Sequence, residues 1–191
     1  RKIWPKSKEQ LYKAVSLCAR QNRIMVPYGA GSGVCGAITG HSKSVVIDTK
    51  CMNRVLSVDA ETKTATIESG ALGQHVEDKL NRAGWTMGHS PSSIMCSTIG
   101  GYLAARSAGQ FSSKYGVFDD MVSGATAICP SGEMRMGCHS SLDDPRELAV
   151  FSGSEGGLGI AYSVTLNIHR LAEKRWLSAY AFPNVESAWA A

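Results

Sequence analysis

A glycine-rich stretch near the start of the chain is the first feature that could do chemistry. Four glycines fall within eight positions of Pro27–Gly36, directly after the apolar run Ile24–Val26. Glycine is favoured where the backbone turns through positive φ or approaches another group closely, and consecutive backbone N–H groups in such a turn form a concavity that attracts anions. The stretch therefore predicts a loop that binds a phosphate-bearing ligand. The alternative interpretation is an ordinary glycine-rich surface loop.

Two later stretches combine glycine with polar side chains in a similar way. Ser92, Ser93, Ser97 and Thr98 supply hydroxyl groups directly before the pair Gly100-Gly101. A third glycine-rich stretch, Gly153–Gly159, contains one acidic residue, Glu155. A diphosphate needs several fixed N–H and O–H donors, and hydrogen bonds to a charged acceptor are the strong ones. Hydroxyls of this kind also cap turns, so a purely local role for them is the alternative.

Regular elements that could position these loops lie on either side of each one. Period-two alternation and short apolar runs predict strands, and recurrence at every third or fourth position predicts helices. The predicted strands are Ile24–Pro27, Ser44–Asp48, Val55–Asp59, Thr64–Glu68, Val122–Cys129, Met134–Met136, Ile160–Ile168 and Trp176–Phe182. The predicted helices run from Ser7 to near Asn22 and over Leu72–Ala83, Tyr102–Ser107, Pro145–Phe151 and Val185–Ala191.

The first loop also matches the dinucleotide-binding pattern G-x-G-x-x-G at Gly31–Gly36, with Asp48 at the end of the next strand. In a Rossmann unit this pattern opens a helix whose N-terminus binds the diphosphate. Only seven residues, Ala37–Lys43, precede the next strand, and Gly40 interrupts them. As a helix they would rise about 10 Å, too short to cross back over a sheet. The spacing therefore excludes a Rossmann fold and leaves a phosphate-binding loop without a long helix.

Composition narrows the classes of function. The chain has 191 residues and a net charge of +4, with its basic residues scattered, which does not indicate a nucleic-acid surface. Its six cysteines show no paired spacing, and His41, His75, His139 and His169 show no metal-ligand spacing, so no metal site is predicted. Dispersed thiols, with neither a signal peptide nor an 18-residue apolar run, favour the cytoplasm.

Taken in order and with their spacing, the three loops resemble the flavin domain of the FAD-linked oxidase family related to vanillyl-alcohol oxidase, the PCMH type. The resemblance runs from about Ile3 to Leu171. Within the family, the stretches Gly88–Gly101, Ala105–Gln110 and Lys114–Val122 are most similar to alkyl-dihydroxyacetone-phosphate synthase and its bacterial relatives. The flavin subunits of glycolate and D-lactate dehydrogenases share the Gly-Gly and Tyr-Gly elements, although they more often carry Asn at the position of Arg106.

This resemblance implies an α+β fold in which two subdomains bind an extended FAD. The expected boundaries are 1–56 and 57–171 for the two FAD-binding subdomains, with 172–191 as the start of a substrate (cap) domain. The chain is therefore expected to be truncated, with most substrate-binding residues in the missing part of the cap and no catalytic side chain in this chain. The implied partners are FAD and a small-molecule substrate, with a homo-oligomer or an electron-acceptor subunit as further possibilities.

Cofactor contacts are carried over from the family motif by motif. The first loop would bind the diphosphate through backbone amides, the second would contact the phosphates and ribityl chain, residues 105–108 would line the flavin, and the third loop would contact the adenine-ribose side. The predicted cofactor-binding residues are Pro27, Tyr28, Gly29, Ala30, Gly31, Ser32, Gly33, Ser92, Ser93, Ile94, Met95, Cys96, Ser97, Thr98, Gly100, Gly101, Ala105, Arg106, Ser107, Ala108, Glu155, Gly156, Gly157, Leu158, Gly159, Ile160 and Ala161.

Several of these residues have a structural alternative. Arg106 could instead pair with Asp119 or Asp120, and His89 is expected to pack or hydrogen-bond rather than act as a base. The commonest covalent flavin link in the family uses a His in the first loop. Positions 27–36 contain no His, so noncovalent FAD is predicted, although Cys35 lies within that stretch.

The family resemblance implies a flavin-dependent oxidoreductase that oxidises a 2-hydroxy acid or a related small alcohol by hydride transfer to FAD. One alternative is exchange of an acyl group for an alkyl group on a ketose phosphate without net redox, as in the synthase subgroup. The other alternative is a non-catalytic flavin-binding subunit of a larger complex.

Overall fold

A computed structural model describes residues 1–137 and 145–191. The strands are β1 (Lys2–Ile3), β2 (Met25–Tyr28), β3 (Val45–Asp48), β4 (Val55–Asp59), β5 (Thr64–Glu68), β6 (Trp85–Thr86), β7 (Val122–Cys129), β8 (Gly132–Gly137), β9 (Ile160–Asn167) and β10 (His169–Arg170). The α-helices are α1 (Lys8–Arg20), α2 (Gly73–Arg82), α3 (Ile99–Ala105), α4 (Ser112–Tyr115), α5 (Phe118–Met121), α6 (Pro145–Phe151) and α7 (Val185–Ala190). Single 3₁₀ turns span Thr49–Cys51 and Ile94–Cys96.

The first part of the chain forms a three-stranded parallel sheet in the order β1-β3-β2. Helix α1 covers it with the apolar face predicted from the sequence, since Leu11, Val15 and Cys18 are buried against Ile47. In a parallel sheet the carboxyl ends of the strands lie at one edge, where α/β proteins commonly bind ligands. The glycine-rich loop leaves the sheet at this edge, directly after β2.

The rest of the chain is built on a five-stranded antiparallel sheet in the order β4-β5-β9-β7-β8. Its larger core is packed by α2, α3 and α5, with Leu80, Leu103 and Phe118 fully buried. Ile128 and Ile160 of this sheet belong to the same buried cluster as α1, so the two sheets share packing contacts. The mixture of helices with separate parallel and antiparallel sheets is the predicted α+β class.

Most predicted elements occur within a few residues of their expected bounds, and two predictions need correction. The segment Trp176–Phe182 is not a strand: Trp176 and Leu177 are 86% and 88% exposed, and the segment pairs with no strand among the described residues. Helix α3 begins at Ile99 rather than Tyr102, because the Thr98 hydroxyl accepts a hydrogen bond from the Gly101 N–H at 3.3 Å and caps the helix.

Cys138, one of the six cysteines, and His139, one of the histidines considered above, lie outside the described residues. Between β2 and β3, where the structure describes every residue, there is no helix, as the rejection of a Rossmann unit requires. Helix α7 follows Asn184, whose side chain accepts from the Ser187 N–H at 2.8 Å. None of the helices in the described ranges has the length and apolar character of a transmembrane span. The predicted domain boundaries remain predictions.

Candidate functional site

The first wall of the site is the loop that follows β2. Gly31 has φ +77°, and a Cβ there would collide with the hydroxyl of Tyr28. Gly29 has no room for a Cβ because the Thr98 hydroxyl occupies that space. Glycine is therefore favoured at both positions because a neighbouring side chain occupies the space of a Cβ. At Gly31 the positive φ is a second reason. The close contact between Gly29 and Thr98 brings the first loop against the N-terminus of α3.

Ion pairs hold this loop from behind. Asp48 is completely buried, and its carboxylate accepts hydrogen bonds from Lys50 Nζ at 2.7 and 2.8 Å and pairs with Lys2 Nζ at 2.8 Å. Lys50 Nζ also donates to the Gly29 carbonyl at 2.7 Å, and both ammonium groups lie over the Tyr28 ring at 4.5–4.6 Å. Burial raises the pKa of Asp48, but the bonds from Lys2 and Lys50 outweigh this and leave that pKa below its usual value. With two cations and one anion, the cluster is net positive.

The second wall consists of Ser93, the extended residues Ser97 and Thr98, and helix α3, and the 3₁₀ turn Ile94–Cys96 connects Ser93 to Ser97. Ser97 Oγ lies 2.6 Å from Ser32 Oγ, so a direct hydrogen bond joins the first and second walls. Gly100 permits another close approach: its N–H donates to the Ser69 carbonyl at 2.8 Å, and an added Cβ would lie 2.6 Å from Ser69 Cβ.

The third wall is the loop between α6 and β9. Glu155 and Gly156 both have positive φ, +49° and +88°, and a Cβ on Gly156 would collide with Pro27 of the first wall. The Glu155 N–H donates to the Ala104 carbonyl at 3.1 Å, at the C-terminal end of α3. The third loop thus contacts both other walls, and the three loops surround one space.

That space is a cleft of about 290 Å³, close to the lower limit of ordinary small-molecule sites. The predicted residues that line it are Pro27, Tyr28, Gly29, Ala30, Gly31, Ser32, Gly33, Ser93, Ser97, Thr98, Gly100, Gly101, Ala105, Ser107, Glu155, Gly156, Gly159, Ile160 and Ala161. The predicted residues outside its lining are Ser92, Ile94, Met95, Cys96, Arg106, Ala108, Gly157 and Leu158.

Sequence reasoning missed part of the lining: Ala37, Ile38, Thr49, Ser69, Tyr102, Ala104, Phe151 and Ser154. Ser69 and Tyr102 are the most informative, because both are almost fully buried and their hydroxyls have no hydrogen-bond partner among the described residues. Burial raises the pKa of Tyr102, so this hydroxyl stays protonated. Both hydroxyl oxygens are closed off from the open cleft, so these two side chains support the lining from behind and do not donate to a ligand in the cleft.

Arg106 lies outside the cleft lining, although Ala105 and Ser107 on either side of it belong to that lining. It ends α3 with φ +49°, and its guanidinium donates to the carbonyls of Ser152 at 3.1 Å and Ala149 at 2.7 Å. Arg106 Nε also pairs with Asp119 at 3.2 Å, which was the alternative considered from the sequence. These bonds tie α3 to α6 and to the third loop; contact between Arg106 and a cofactor stays a prediction.

His89 lies behind the second wall, outside the cleft lining. It is 1% exposed, and its ring makes edge-to-face contacts with Tyr102 and Phe118 at centroid distances of 4.6 and 5.0 Å. Burial lowers the pKa of His89 from 6.5 to about 4, so the ring is neutral near pH 7. The structure thus places His89 in packing and hydrogen-bonding contacts.

The chemistry of the lining suits an extended anionic cofactor. Glycine, alanine and serine let the backbone approach a ligand closely, hydroxyls supply donors, and the positive Lys2–Lys50 cluster lies behind the first wall. Glu155 lines the far loop, where its carboxylate could accept hydrogen bonds from sugar hydroxyls. No cluster of three or more His, Cys, Asp or Glu residues that could hold a metal ion occurs in residues 1–137 and 145–191. The residues present therefore fit FAD.

Comparison with known protein families also indicates an FAD-binding protein. The sequence profile described as an FAD binding domain matches residues 2–136, and the chain belongs to this family. It is the PCMH-type FAD-binding domain of a flavin-dependent enzyme, with FAD as its cofactor.

Individual members of the family are similar to the chain over most of its length. The chain is 33% identical to the alkyldihydroxyacetonephosphate synthase of Caenorhabditis elegans over 97% of its length, and 35% identical to that of Dictyostelium discoideum over 97%. A solved alkyldihydroxyacetonephosphate synthase structure superposes with a TM-score of 0.84 at 34% identity, covering 91% of this chain and 32% of that one. The glycolate oxidase subunit GlcD of Bacillus subtilis is 29% identical over 97% of the chain and 40% of its own length. The chain spans 32% of the Caenorhabditis elegans relative and 31% of the Dictyostelium one.

Proposed function

We propose that this domain binds FAD without a covalent link and serves an enzyme that oxidises a 2-hydroxy acid or a related small alcohol. When bound, FAD supplies the acceptor for the hydride removed from the substrate. The observation that carries the proposal is the meeting of three loops around one cleft, joined by the Ser32–Ser97 hydrogen bond and by the close approaches at Gly29 and Gly156.

Each wall has a role in this proposal. The first loop and the net-positive cluster behind it bind the diphosphate, with Lys50 fixing the carbonyl of Gly29. Ser93, Ser97 and Thr98 of the second wall contribute hydroxyl groups to the lining. Ala105 and Ser107 line the end of the cleft assigned to the isoalloxazine, and Glu155 accepts from the ribose of the adenosine half. These side chains bind and orient the cofactor, and no acid or base in this domain is assigned to the reaction.

The noncovalent assignment is supported by the side chains that face the cleft. No His and no Cys is among the described residues that line it. Cys35 and Cys96 are exposed but outside the lining, and His89 is buried with Nε2 hydrogen-bonded to Ser107. We expect acid precipitation of the FAD-loaded protein to release all of the flavin into the supernatant. Flavin that stays with the pellet would contradict the assignment.

A second candidate reaction is exchange of an acyl for an alkyl group on a ketose phosphate without net redox. It is favoured by the order of similarity, since the alkyldihydroxyacetonephosphate synthases are 33–35% identical to the chain and the glycolate oxidase subunit 29%. The domain would contribute the same FAD site in either case.

The two reactions can be separated on the full-length protein that contains this domain. Under anaerobic conditions a 2-hydroxy acid that is a substrate should bleach the flavin absorbance in proportion to the product formed. An acyl ketose phosphate with a long-chain alcohol should instead yield the alkyl product and free fatty acid, with the flavin oxidised at the end. Bleaching by hydroxy acids supports the first proposal, and alkyl product without bleaching would replace it by the second.

A further inference from the structure

Ser107 is held more rigidly than its position after a helix would require. Its N–H donates to the Tyr102 carbonyl at 3.0 Å, and its own carbonyl accepts from the Phe118 N–H at 2.9 Å. Its Oγ lies 2.9 Å from Nε2 of His89, and the residue is partly exposed in the cleft. Two backbone hydrogen bonds therefore fix the residue, and a third holds its hydroxyl group at the cleft surface.

The other nitrogen of His89 indicates where the ring carries its proton. Nδ1 is buried and has no hydrogen-bond partner among the residues that the structure describes. A buried N–H without an acceptor is rarer in proteins than an acceptor without a donor. The neutral ring therefore carries its hydrogen on Nε2 and donates it to Ser107 Oγ. The Ser107 hydroxyl hydrogen, which is not used in that bond, is free to point into the cleft.

We propose that Ser107 donates its hydroxyl hydrogen to the isoalloxazine ring of the bound flavin, and that His89 is the positioning residue that directs this bond. The inference rests on the proposed function, since Ala105 and Ser107 are assigned there to the flavin end of the cleft. A serine hydroxyl can be both donor and acceptor, and a fixed N–H donor on one side leaves it to act as a donor on the other. The ring carbonyls and unprotonated nitrogens of the isoalloxazine are acceptors of the required kind.

The contacts around His89 suit this role. The rings of Tyr102 and Phe118 hold the imidazole edge-to-face and exclude water. Because burial keeps the pKa of His89 near 4, the ring remains a neutral donor over the physiological pH range. A hydrogen bond donated to the ring system stabilises its electron-rich reduced form more than its oxidised form. Removing the donor should therefore lower the midpoint potential of the flavin.

The test uses the FAD-loaded protein and measures the midpoint potential, the visible absorption spectrum and the FAD dissociation constant. Ser107→Ala should lower the potential, shift the visible bands and weaken FAD binding by up to about tenfold, the range of one hydrogen bond. Ser107→Thr keeps the hydroxyl and should restore the potential. Ser123→Ala is the matched control, because Ser123 is partly buried and its hydroxyl donates to a backbone carbonyl at 3.3 Å but does not line the cleft.

The role of His89 is tested by a double-mutant cycle. His89→Phe keeps an aromatic ring against Tyr102 and Phe118 but removes the donor, so a smaller shift in the same direction is expected. Ser107→Ala combined with His89→Phe should shift the potential no further than Ser107→Ala alone, because the histidine acts through the serine. His89→Gln, which can present an N–H, should recover part of the effect.

The outcomes separate this inference from the proposed function. If wild-type protein does not bind FAD, the proposed function fails. If it binds FAD and Ser107→Ala leaves the potential and spectrum unchanged, the Ser107 assignment is wrong. If the two single shifts add in the double variant, His89 does not act through Ser107 and its positioning role is wrong.

Discussion

The two sides of the cleft are held in place by opposite kinds of interaction. Behind the first loop, the buried carboxylate of Asp48 binds Lys2 and Lys50, and Lys50 continues to the Gly29 carbonyl. Behind the second wall, the neutral ring of His89 packs between aromatic side chains and holds the Ser107 hydroxyl. One side is fixed by ions and the other by neutral hydrogen bonds and packing.

This difference matches the two halves of the proposed ligand. A diphosphate carries negative charge, and a net-positive cluster beside it strengthens every amide hydrogen bond in the loop. The isoalloxazine is neutral when oxidised, and a fixed neutral donor can favour its reduced form without adding a charge beside the substrate. Substitutions on the first side should therefore weaken the binding of cofactors that carry phosphate. Substitutions on the second side should shift the visible absorption spectrum of the flavin.

The largest effect on FAD affinity is expected at Gly31 in the first loop. Gly31→Val should weaken FAD binding by more than about 100-fold, because the side chain would collide with the Tyr28 hydroxyl in the loop that binds the diphosphate. Gly84→Val is a matched control: its φ of +79° equals that of Gly31 within 2°, but a Cβ there meets no atom within 4 Å. Both variants should lose similar stability from backbone strain, about 1–2 kcal/mol. Equal FAD affinities in the two variants would contradict the assignment of the first loop.

The pH dependence of unfolding should separate the two sides. The pKa of His89 falls from 6.5 to about 4 on folding, so the unfolded chain binds more protons between these values and stability is lost as pH falls from 6.5 to 4. The loss should be at most about 3.4 kcal/mol, given 1.36 kcal/mol per pKa unit. Asp48 also has a lowered pKa, so its contribution is present above about pH 4 and is lost below it.

Urea unfolding between pH 3 and 8 measures these contributions. In His89→Phe the decline between pH 6.5 and 4 should be smaller than in wild type, and the decline below pH 4 should remain. An unchanged profile in that variant would contradict the burial of a neutral histidine behind the second wall.

A smaller effect is expected from the lysine that links Asp48 to the loop. Lys50→Met removes a charged hydrogen bond to Gly29 and should weaken FAD binding about tenfold, which is about 1.4 kcal/mol. Riboflavin, which has no diphosphate, should bind the variant as it binds wild type. Lys79→Met is the control, since Lys79 lies on α2 and does not line the cleft. Equal losses for FAD and riboflavin would show that Lys50 does not act on the diphosphate.

The smallest effect is expected at the cap of α3. Thr98→Ala removes the hydroxyl that accepts from the Gly101 N–H, and should lower the free energy of unfolding by about 1 kcal/mol. Thr98→Ser keeps the cap and should remain near wild type. Chemical denaturation of the three proteins checks this, and an unchanged value for the alanine variant would mean that the cap contributes little.

The glycine loops and their flanking strands could be predicted because their signals are local. Positive φ at Gly31 and Gly156 is a property of the turn itself, and an apolar strand precedes the first loop while another follows the third. The match of three loops in order made the family resemblance specific. The same local reasoning failed for Trp176–Phe182, where an apolar run predicts a strand but the described chain offers no strand to pair with it.

The residues that sequence reasoning missed depend on contacts between distant parts of the chain. Ser69 follows strand β5, far in sequence from the three glycine-rich loops, and Tyr102 lies inside α3, directly after the predicted pair Gly100-Gly101 but at a position whose side chain the sequence does not place. Their positions beside the cleft become apparent only when the walls meet. Asp48 was considered as the acidic residue of a dinucleotide fingerprint, yet the structure uses it to bind two lysines. A hydroxyl directly after a predicted strand was the one available signal for Ser69.

A titration of the protein with FAD and with riboflavin, followed by the quenching of flavin fluorescence, tests the central claim most directly. If the three loops form an FAD site with the diphosphate on the first wall, FAD should bind with one-to-one stoichiometry and at least about 100-fold more tightly than riboflavin. Equal affinity for the two flavins, or no binding of FAD, would contradict the account.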